Sequence, residues 1–300
     1  MAAELRRFFL IIIPYVWLLV FFLAPFFIVL KISLSDAAIA IPPYVPTFDF
    51  SAGIAGLKAF FSSLDFESYL FLATDSLYVN AFFSSLQIAV FSTFLALLVA
   101  FPMAYGMARA PDWLRPLLVM GVILPFWTSF LIRVYAWVGI LRSEGLLNQF
   151  LQWTGVISEP LQIMNTPTAV YIGIVYSYLP FMVLPIYATL EKMDESLIEA
   201  AIDLGCSRVS AFWLVTLPLA MPGIVAGCFL VFIPAMGEFV IPEMLGGSRT
   251  LMMGKTLWNE FFSNRDWPVA SAVAIVLLLT LVVPIVIFQR QAEKQQEAGR

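Results

Sequence analysis

Six apolar stretches, each long enough to cross a bilayer, dominate this chain: Phe8 to Leu30, Phe82 to Met107, Leu117 to Leu141, Ala169 to Leu190, Met221 to Ile241 and Val269 to Phe288. A spanning helix needs about 20 apolar residues. Hydrocarbon offers no partner to a backbone N–H or C=O, so such stretches must satisfy their own hydrogen bonds as helices. The expectation is an all-α integral membrane protein with six transmembrane helices in one bundle. Composition agrees, since 61% of the residues are hydrophobic and only 12% are charged, about half the charge of a soluble domain. The first stretch follows Arg6 and Arg7 and precedes Ala38-Ile39-Ala40, a small-residue run like a cleavage site. Its apolar run of about 23 residues exceeds the 7 to 15 of a signal-peptide core, so it is expected to remain as a helix.

The residues that are missing exclude several functions. There is no His, and the two cysteines, Cys206 and Cys228, have neither disulfide-framework nor zinc spacing. Acid–base catalysis through imidazole is excluded, and no metal site or catalytic residue is expected. A net charge of -4 with scattered Lys and Arg gives no nucleic-acid footprint. No Gly-x-x-x-x-Gly-Lys-Ser/Thr loop is present, so the chain is not itself a phosphate-binding motor. An ion-coupled secondary transporter would show inverted repeats and usually more helices, and a membrane enzyme would need a nucleophile motif.

Basic residues set the expected orientation. Cytoplasmic termini put Arg6, Arg7, Arg109, Arg115, Lys192, Arg208, Arg290, Lys294 and Arg300 inside, and Lys31, Lys58, Arg142, Arg249, Lys255 and Arg265 outside. By this topology the chain divides into an N-terminal helix over 1–32, an external loop over 33–79, a five-helix domain over 80–288 and a cytoplasmic tail over 289–300. The external loop carries Asp36, Asp49, Asp65, Glu67 and Asp75 and is expected to hold short interfacial helices. An amphipathic helix is expected around Leu146 to Trp153.

The connection over 191–218 carries the most information. Ser196 and Glu199 have capping-box spacing, which predicts a helix through Ala200, Ala201 and Leu204. Gly205 suits its C-terminus. Ser207 is placed to cap a second short helix reaching Leu214, ahead of Leu217-Pro218. Together these predict a helix–Gly–helix elbow projecting from the bundle. The bland alternative is an ordinary capped connector.

Glu199-Ala200-Ala201, Gly205, Val215 and Leu217-Pro218 resemble the loop signature of ABC importer permeases, with Val where Ile is usual. The resemblance implies the type I permease fold over 80–288. It also implies that Glu199, Ala200, Ala201, Gly205, Leu217 and Pro218 form the coupling loop that seats on an ATP-hydrolysing subunit. Three further runs, Leu124 to Trp137, Gly237 to Gly247 and Asn264 to Ser271, are similar to the spermidine/putrescine branch. That branch implies a second permease in a heterodimer, two ATP-binding subunits that hold ATP and magnesium, a periplasmic polyamine-binding protein and a bacterial inner-membrane location. This chain itself would carry no cofactor.

The residues suit such a cargo. A polyamine is a row of ammonium groups separated by methylenes, and a path for it should offer carboxylates with aromatic faces between them. Glu238 is expected inside the fifth helix and Glu243 at its outer end, with Phe239 between. Trp258, Glu260 and Asp266 could extend an acidic, aromatic mouth. Glu238 could instead pair with Arg133, the lone base inside the third helix. A related importer for another small solute remains the alternative.

Overall fold

The computed structural model describes residues 2–47 and 64–298. Among the described residues, fourteen α-helices and one short β-ribbon are labelled here in chain order. Among the described residues five helices are long and apolar enough to cross a membrane, and a sixth span is reached if one sharply bent pair counts as a single crossing. The chain divides into two compact units, one from 1–80 with 256–300 and one from 81–255.

In the first unit, α1 (Ala2–Leu18) runs through a π-turn at Leu19–Leu23 into α2 (Ala24–Ser33). Pro25 explains the widened turn, because its ring would meet the carbonyl of Phe21 in a regular α-helix. Leu10, Ile13, Trp17, Phe21 and Phe22 are all more than half exposed, so this helix presents its apolar surface outward. Where the 33–79 loop is described, it holds one short helix and a β-ribbon that the sequence did not lead us to expect. Strands β1 (Asp36–Ala37) and β2 (Tyr44–Val45) pair antiparallel, and α3 (Glu67–Thr74) follows. Residues 48–63 lie outside the described chain. The last helix, α14 (Trp267–Ala298), packs on α2 and continues through the segment expected to be a separate tail.

The second unit is built on α4 (Ser76–Ala108), α8 (Pro167–Glu191) and α11 (Leu217–Met236). Helix α4 starts earlier than its apolar stretch because the Asp75 carboxylate accepts the Leu77 N–H at 2.8 Å. Along α4 the residues Ala81, Ser85, Ala89, Ser92, Ala96, Ala100 and Ala104 are all fully buried. Their spacing of three or four makes one smooth face, and small residues are what let membrane helices approach closely. Ala96, Ala100 and Ala104 share a core with Met182, Val183 and Ile186 of α8 and with Ile224 and Val231 of α11.

Helices α8 and α11 meet across Gly223 and Gly227, a Gly-x-x-x-Gly pair. A Cβ on Gly223 would lie 2.6 Å from the Pro185 carbonyl oxygen, and one on Gly227 would lie 2.8 Å from Met182 Sδ. Backbone cannot yield as a flexible side-chain end does, so Gly223→Val is expected to cost about 2 kcal/mol or more. The measurement is thermal unfolding of the detergent-solubilised protein, where a transition unchanged from wild type would refute this packing.

Three expected boundaries are corrected. The stretch Leu117 to Leu141 is not one straight helix: α5 (Arg115–Ile123) ends in a 3₁₀ turn at Leu124–Trp127, and α6 (Phe130–Leu141) leaves at a bend of 89°. Pro125 has no N–H to continue the ladder, Thr128 is extended, and the Thr128 hydroxyl donates to the Pro125 carbonyl at 2.7 Å. The fifth span stops at Met236 rather than Ile241, and a separate α12 (Val240–Leu245) follows. At its other end this span is helical from Arg208 to Met236, so Leu217-Pro218 lies within the helix instead of introducing it. A π-turn at Phe212–Thr216 accommodates Pro218 there. The amphipathic helix is present as α7 (Leu146–Trp153), whose buried Asn148 donates to the Leu161 carbonyl and accepts from the Leu161 N–H.

Candidate functional site

The elbow and the carboxylate corner both belong to the second unit. In the elbow, α9 (Ser196–Asp203) begins where capping-box spacing placed it, but Ser196 is its first residue and not its cap. The Asp194 carboxylate accepts the Ser196 N–H at 2.9 Å. That backbone bond, with the Ser196 hydroxyl, holds the Asp194 carboxyl below the usual carboxylate range. The expected Ser196–Glu199 box is therefore replaced by an Asx turn two residues upstream, which leaves the exposed Glu199 side chain outside the cap.

The C-terminus of α9 is a Schellman motif. The Cys206 N–H reaches the Ala201 carbonyl at 3.0 Å and the Gly205 N–H reaches the Ile202 carbonyl at 2.8 Å. Gly205 has φ +91°, a left-handed conformation that glycine adopts without a Cβ penalty. One residue later the Ser207 hydroxyl accepts the Ser210 N–H at 3.1 Å and caps α10 (Arg208–Ala211). A single residue thus separates the two caps, and the elbow angle is set by hydrogen bonds.

This elbow is tied to the bundle and open on its far side. The Arg109 guanidinium, in the turn after α4, is ion-paired with Glu195 and lies over the Tyr105 ring at 5.6 Å. A cavity of about 480 Å³ between these groups is lined by Arg109, Glu195, Glu199, Arg208 and Phe212. No residue of α9 is buried. Leu204 is 87% exposed, and Leu197 and Ile202 are also exposed. The outer side of α9 is thus an exposed apolar surface rimmed by charge.

The carboxylate corner lies between α11 and α12. Glu238 is only 6% exposed. Its Oε1 accepts the N–H groups of Phe239, Val240 and Ile241 at 3.1, 3.0 and 3.3 Å. The Tyr178 hydroxyl of α8 donates to its Oε2. Glu238 therefore sits in the break between two helices, not inside one, and holds that break open. Among the described residues it makes no ion pair with Arg133, so the expected alternative pairing does not form. The buried Arg133 guanidinium instead lies over the Phe126 and Phe130 rings at 5.2 and 5.9 Å, and its Nε has no hydrogen-bond partner. It is the one charged group among the described lining residues of a cavity of about 530 Å³, otherwise walled by Met103, Met107, Leu118, Val122 and Leu179. A cation in an apolar wall does not suit an ammonium ligand.

Glu243 is in a different position. Its side chain is 59% exposed and takes Lys255 Nζ at 2.9 Å. Phe239 is the N-cap of α12, and its carbonyl accepts the Glu243 N–H at 3.0 Å. Helix α13 (Met253–Trp258) is held close by: the Met253 N–H donates to Ser85 Oγ at 2.7 Å, and a Cβ on Gly254 would lie 2.7 Å from the Glu238 carbonyl oxygen. Trp258 belongs to the first unit, where its ring packs on Phe262 at a centroid distance of 4.2 Å.

Several acids of the expected mouth have structural partners in the first unit. Glu260 is buried and accepts from the Tyr78 hydroxyl at 2.8 Å and the Asn264 amide at 2.9 Å. Asp65 and Asp266 each accept a backbone N–H at the start of a helix, from Glu67 and Val269. Asp36, Asp65 and Glu67 bring exposed carboxylate oxygens within 4.8 Å of one another, a juxtaposition made by the β-ribbon and α3. Asp65 stands two residues before α3 and Asp266 directly before α14, positions at which an Asp reads as a cap from sequence alone.

The bundle thus carries a hydrogen-bonded elbow whose outer face is open and apolar. Residues 92–290 match the family described as "Binding-protein-dependent transport system inner membrane component", and the chain belongs to that family. It is similar to the spermidine/putrescine transport system permease protein PotB of Salmonella typhimurium, with 44% identity over 216 residues, 72% of this chain and 75% of the relative. The Escherichia coli PotB is also 44% identical, over 72% of this chain and 78% of the relative. The fold matches a crystallised bacterial ABC transporter involved in import of the acidic polysaccharide alginate, with TM-score 0.70, 15% identity, and coverage of 98% of this chain and 96% of that one. The protein is thus a multi-pass membrane permease of an ABC importer, a transport subunit and not an enzyme.

Proposed function

We propose that this chain is the permease half of a polyamine importer in a bacterial inner membrane, with both termini cytoplasmic. The observation that carries the cargo is the 44% identity over 72% of the chain to spermidine/putrescine permeases. The corner chemistry supports it, since the exposed Glu243 offers an ammonium a carboxylate, with the aromatic Phe239 four residues before it in the chain. Glu238, with both oxygens engaged, keeps α12 at the angle that presents Glu243. Trp258, in the first unit, stays a separate candidate for the substrate path.

On the opposite side the α9–α10 elbow seats on an ATPase. Ala200 and Ala201 allow close approach, Gly205 holds the turn, and Leu217-Pro218 joins the elbow to α11 without a break in the helix. The working assembly contains a second permease, two ATP-binding subunits that bind ATP and magnesium, and a soluble polyamine-binding protein that delivers cargo. Glu243→Gln keeps the side-chain volume and removes the charge. It is expected to raise the half-saturating polyamine concentration about tenfold, the equivalent of 1.4 kcal/mol of lost charge-assisted bonding, with assembly intact by size-exclusion chromatography. Unchanged uptake kinetics would take Glu243 off the path.

A further inference from the structure

Lys255 Nζ contacts Glu243 Oε2 at 2.9 Å and also donates to the Gly247 carbonyl at 3.2 Å. The two partners differ in freedom, because the lysine side chain is 15% exposed and the glutamate 59%. Lys255 is pinned through its backbone: the Met253 N–H is fastened to Ser85, and Gly254 packs against the carbonyls of Gly237 and Glu238 too closely for any side chain. A lysine side chain is four methylenes ending in a primary ammonium, the same aminobutyl group that ends putrescine and one arm of spermidine.

We propose that Lys255 is a tethered competitor for Glu243, occupying the carboxylate until a substrate ammonium displaces it. This inference rests on the polyamine reading above and deepens it. The geometry supplies what an exchange requires. Glu243 keeps more than half of its surface open, so an incoming ammonium approaches the carboxylate before the lysine has left. Once displaced, the lysine ammonium retains the Gly247 carbonyl as a second acceptor and is not stranded. Exposed ion pairs are weak, shifting an equilibrium by about two- to fivefold, so the exchange is reversible and does not trap the cargo. With lysine in place the Glu243 charge is neutralised, and a single monovalent cation gains little there. A polyamine, with further ammonium groups to place on other acceptors, competes better. Lys255 therefore sets both the affinity of the corner and its preference for polyvalent amines.

The test is uptake of labelled spermidine by the reconstituted complex carrying Lys255→Met, alone and combined with Glu243→Gln. Methionine keeps most of the stem and removes the ammonium. Lys255→Met is expected to lower the half-saturating concentration about two- to fivefold and to have no effect once Glu243 is glutamine. Lys255→Arg, which retains a cation on the carboxylate, is expected to stay at or above the wild-type value. Three results overturn the tether while leaving the cargo reading intact: wild-type uptake with Lys255→Met unchanged, wild-type uptake with Lys255→Met raised, or the same decrease in both backgrounds, which would be a diffuse field effect. A wild-type complex that transports no polyamine would instead remove the reading beneath it, and the tether with it.

Discussion

Gly205→Val is expected to leave the protein inserted and folded in its spans while ATP-driven uptake falls about tenfold or more. A built Cβ at Gly205 meets no atom within 4 Å, so the obstacle is not a clash. It is the backbone, at φ +91°, where a β-branched side chain is a genuine outlier. Strain of that kind costs about 1 to 3 kcal/mol, and relief requires abandoning the two hydrogen bonds from Gly205 and Cys206 that close α9. Because only one residue separates this closure from the Ser207 cap, any relaxation swings α9 relative to α10 and α11. The spans themselves do not depend on it, so expression and chromatographic behaviour should match wild type. Gly205→Ala should fall between, since alanine tolerates the left-handed region better than valine. Uptake and ATPase activity measured on the same preparation make the test. Full ATP-coupled uptake by Gly205→Val would show that the elbow does not transmit motion.

The second large effect concerns Glu238. Leucine at this position would leave three backbone N–H groups and the Tyr178 hydroxyl without an acceptor in a buried site. Each orphaned donor costs about 1 to 3 kcal/mol, so Glu238→Leu is expected to lose at least about 3 kcal/mol and to fail in assembly. Glu238→Gln keeps an oxygen for the backbone groups and should assemble. If the charge at 238 matters only for holding the break, Glu238→Gln transports within a few-fold of wild type. Assembly of Glu238→Leu at wild-type yield and melting temperature would contradict the structural role assigned here.

Much of this architecture is legible in the residues, and the exceptions share a cause. Apolar length alone locates five spans, and the elbow follows from Gly205 and Ser207, because a left-handed glycine and a hydroxyl cap are local devices. Hydropathy is blind to direction, however. Leu117 to Leu141 is apolar throughout, yet Pro125 and the extended Thr128 turn it through 89°. The same blindness placed Glu238 inside a helix, when its own carboxylate gathers the N–H groups that start α12. Caps were read one device too late: Ser196 matched a box pattern, while Asp194, two residues earlier, holds the helix start. The small-residue face from Ala81 to Ala104 and the Gly223–Gly227 pair were visible as spacing and decide how α4, α8 and α11 approach one another. The Glu243–Lys255 pair was not visible, since its members lie on two different short helices with eleven residues and a 3₁₀ turn between them.

The central claim, that this permease moves polyamines by coupling to an ATPase through its elbow, is tested most directly by reconstitution. Proteoliposomes containing this chain, its partner permease, the ATPase and the binding protein would be given labelled putrescine, spermidine and an amino acid, with and without ATP on the ATPase side. The account predicts ATP-dependent accumulation of at least one polyamine and none of the amino acid. Accumulation of the amino acid in place of polyamine, or polyamine uptake that proceeds equally without ATP, would contradict it.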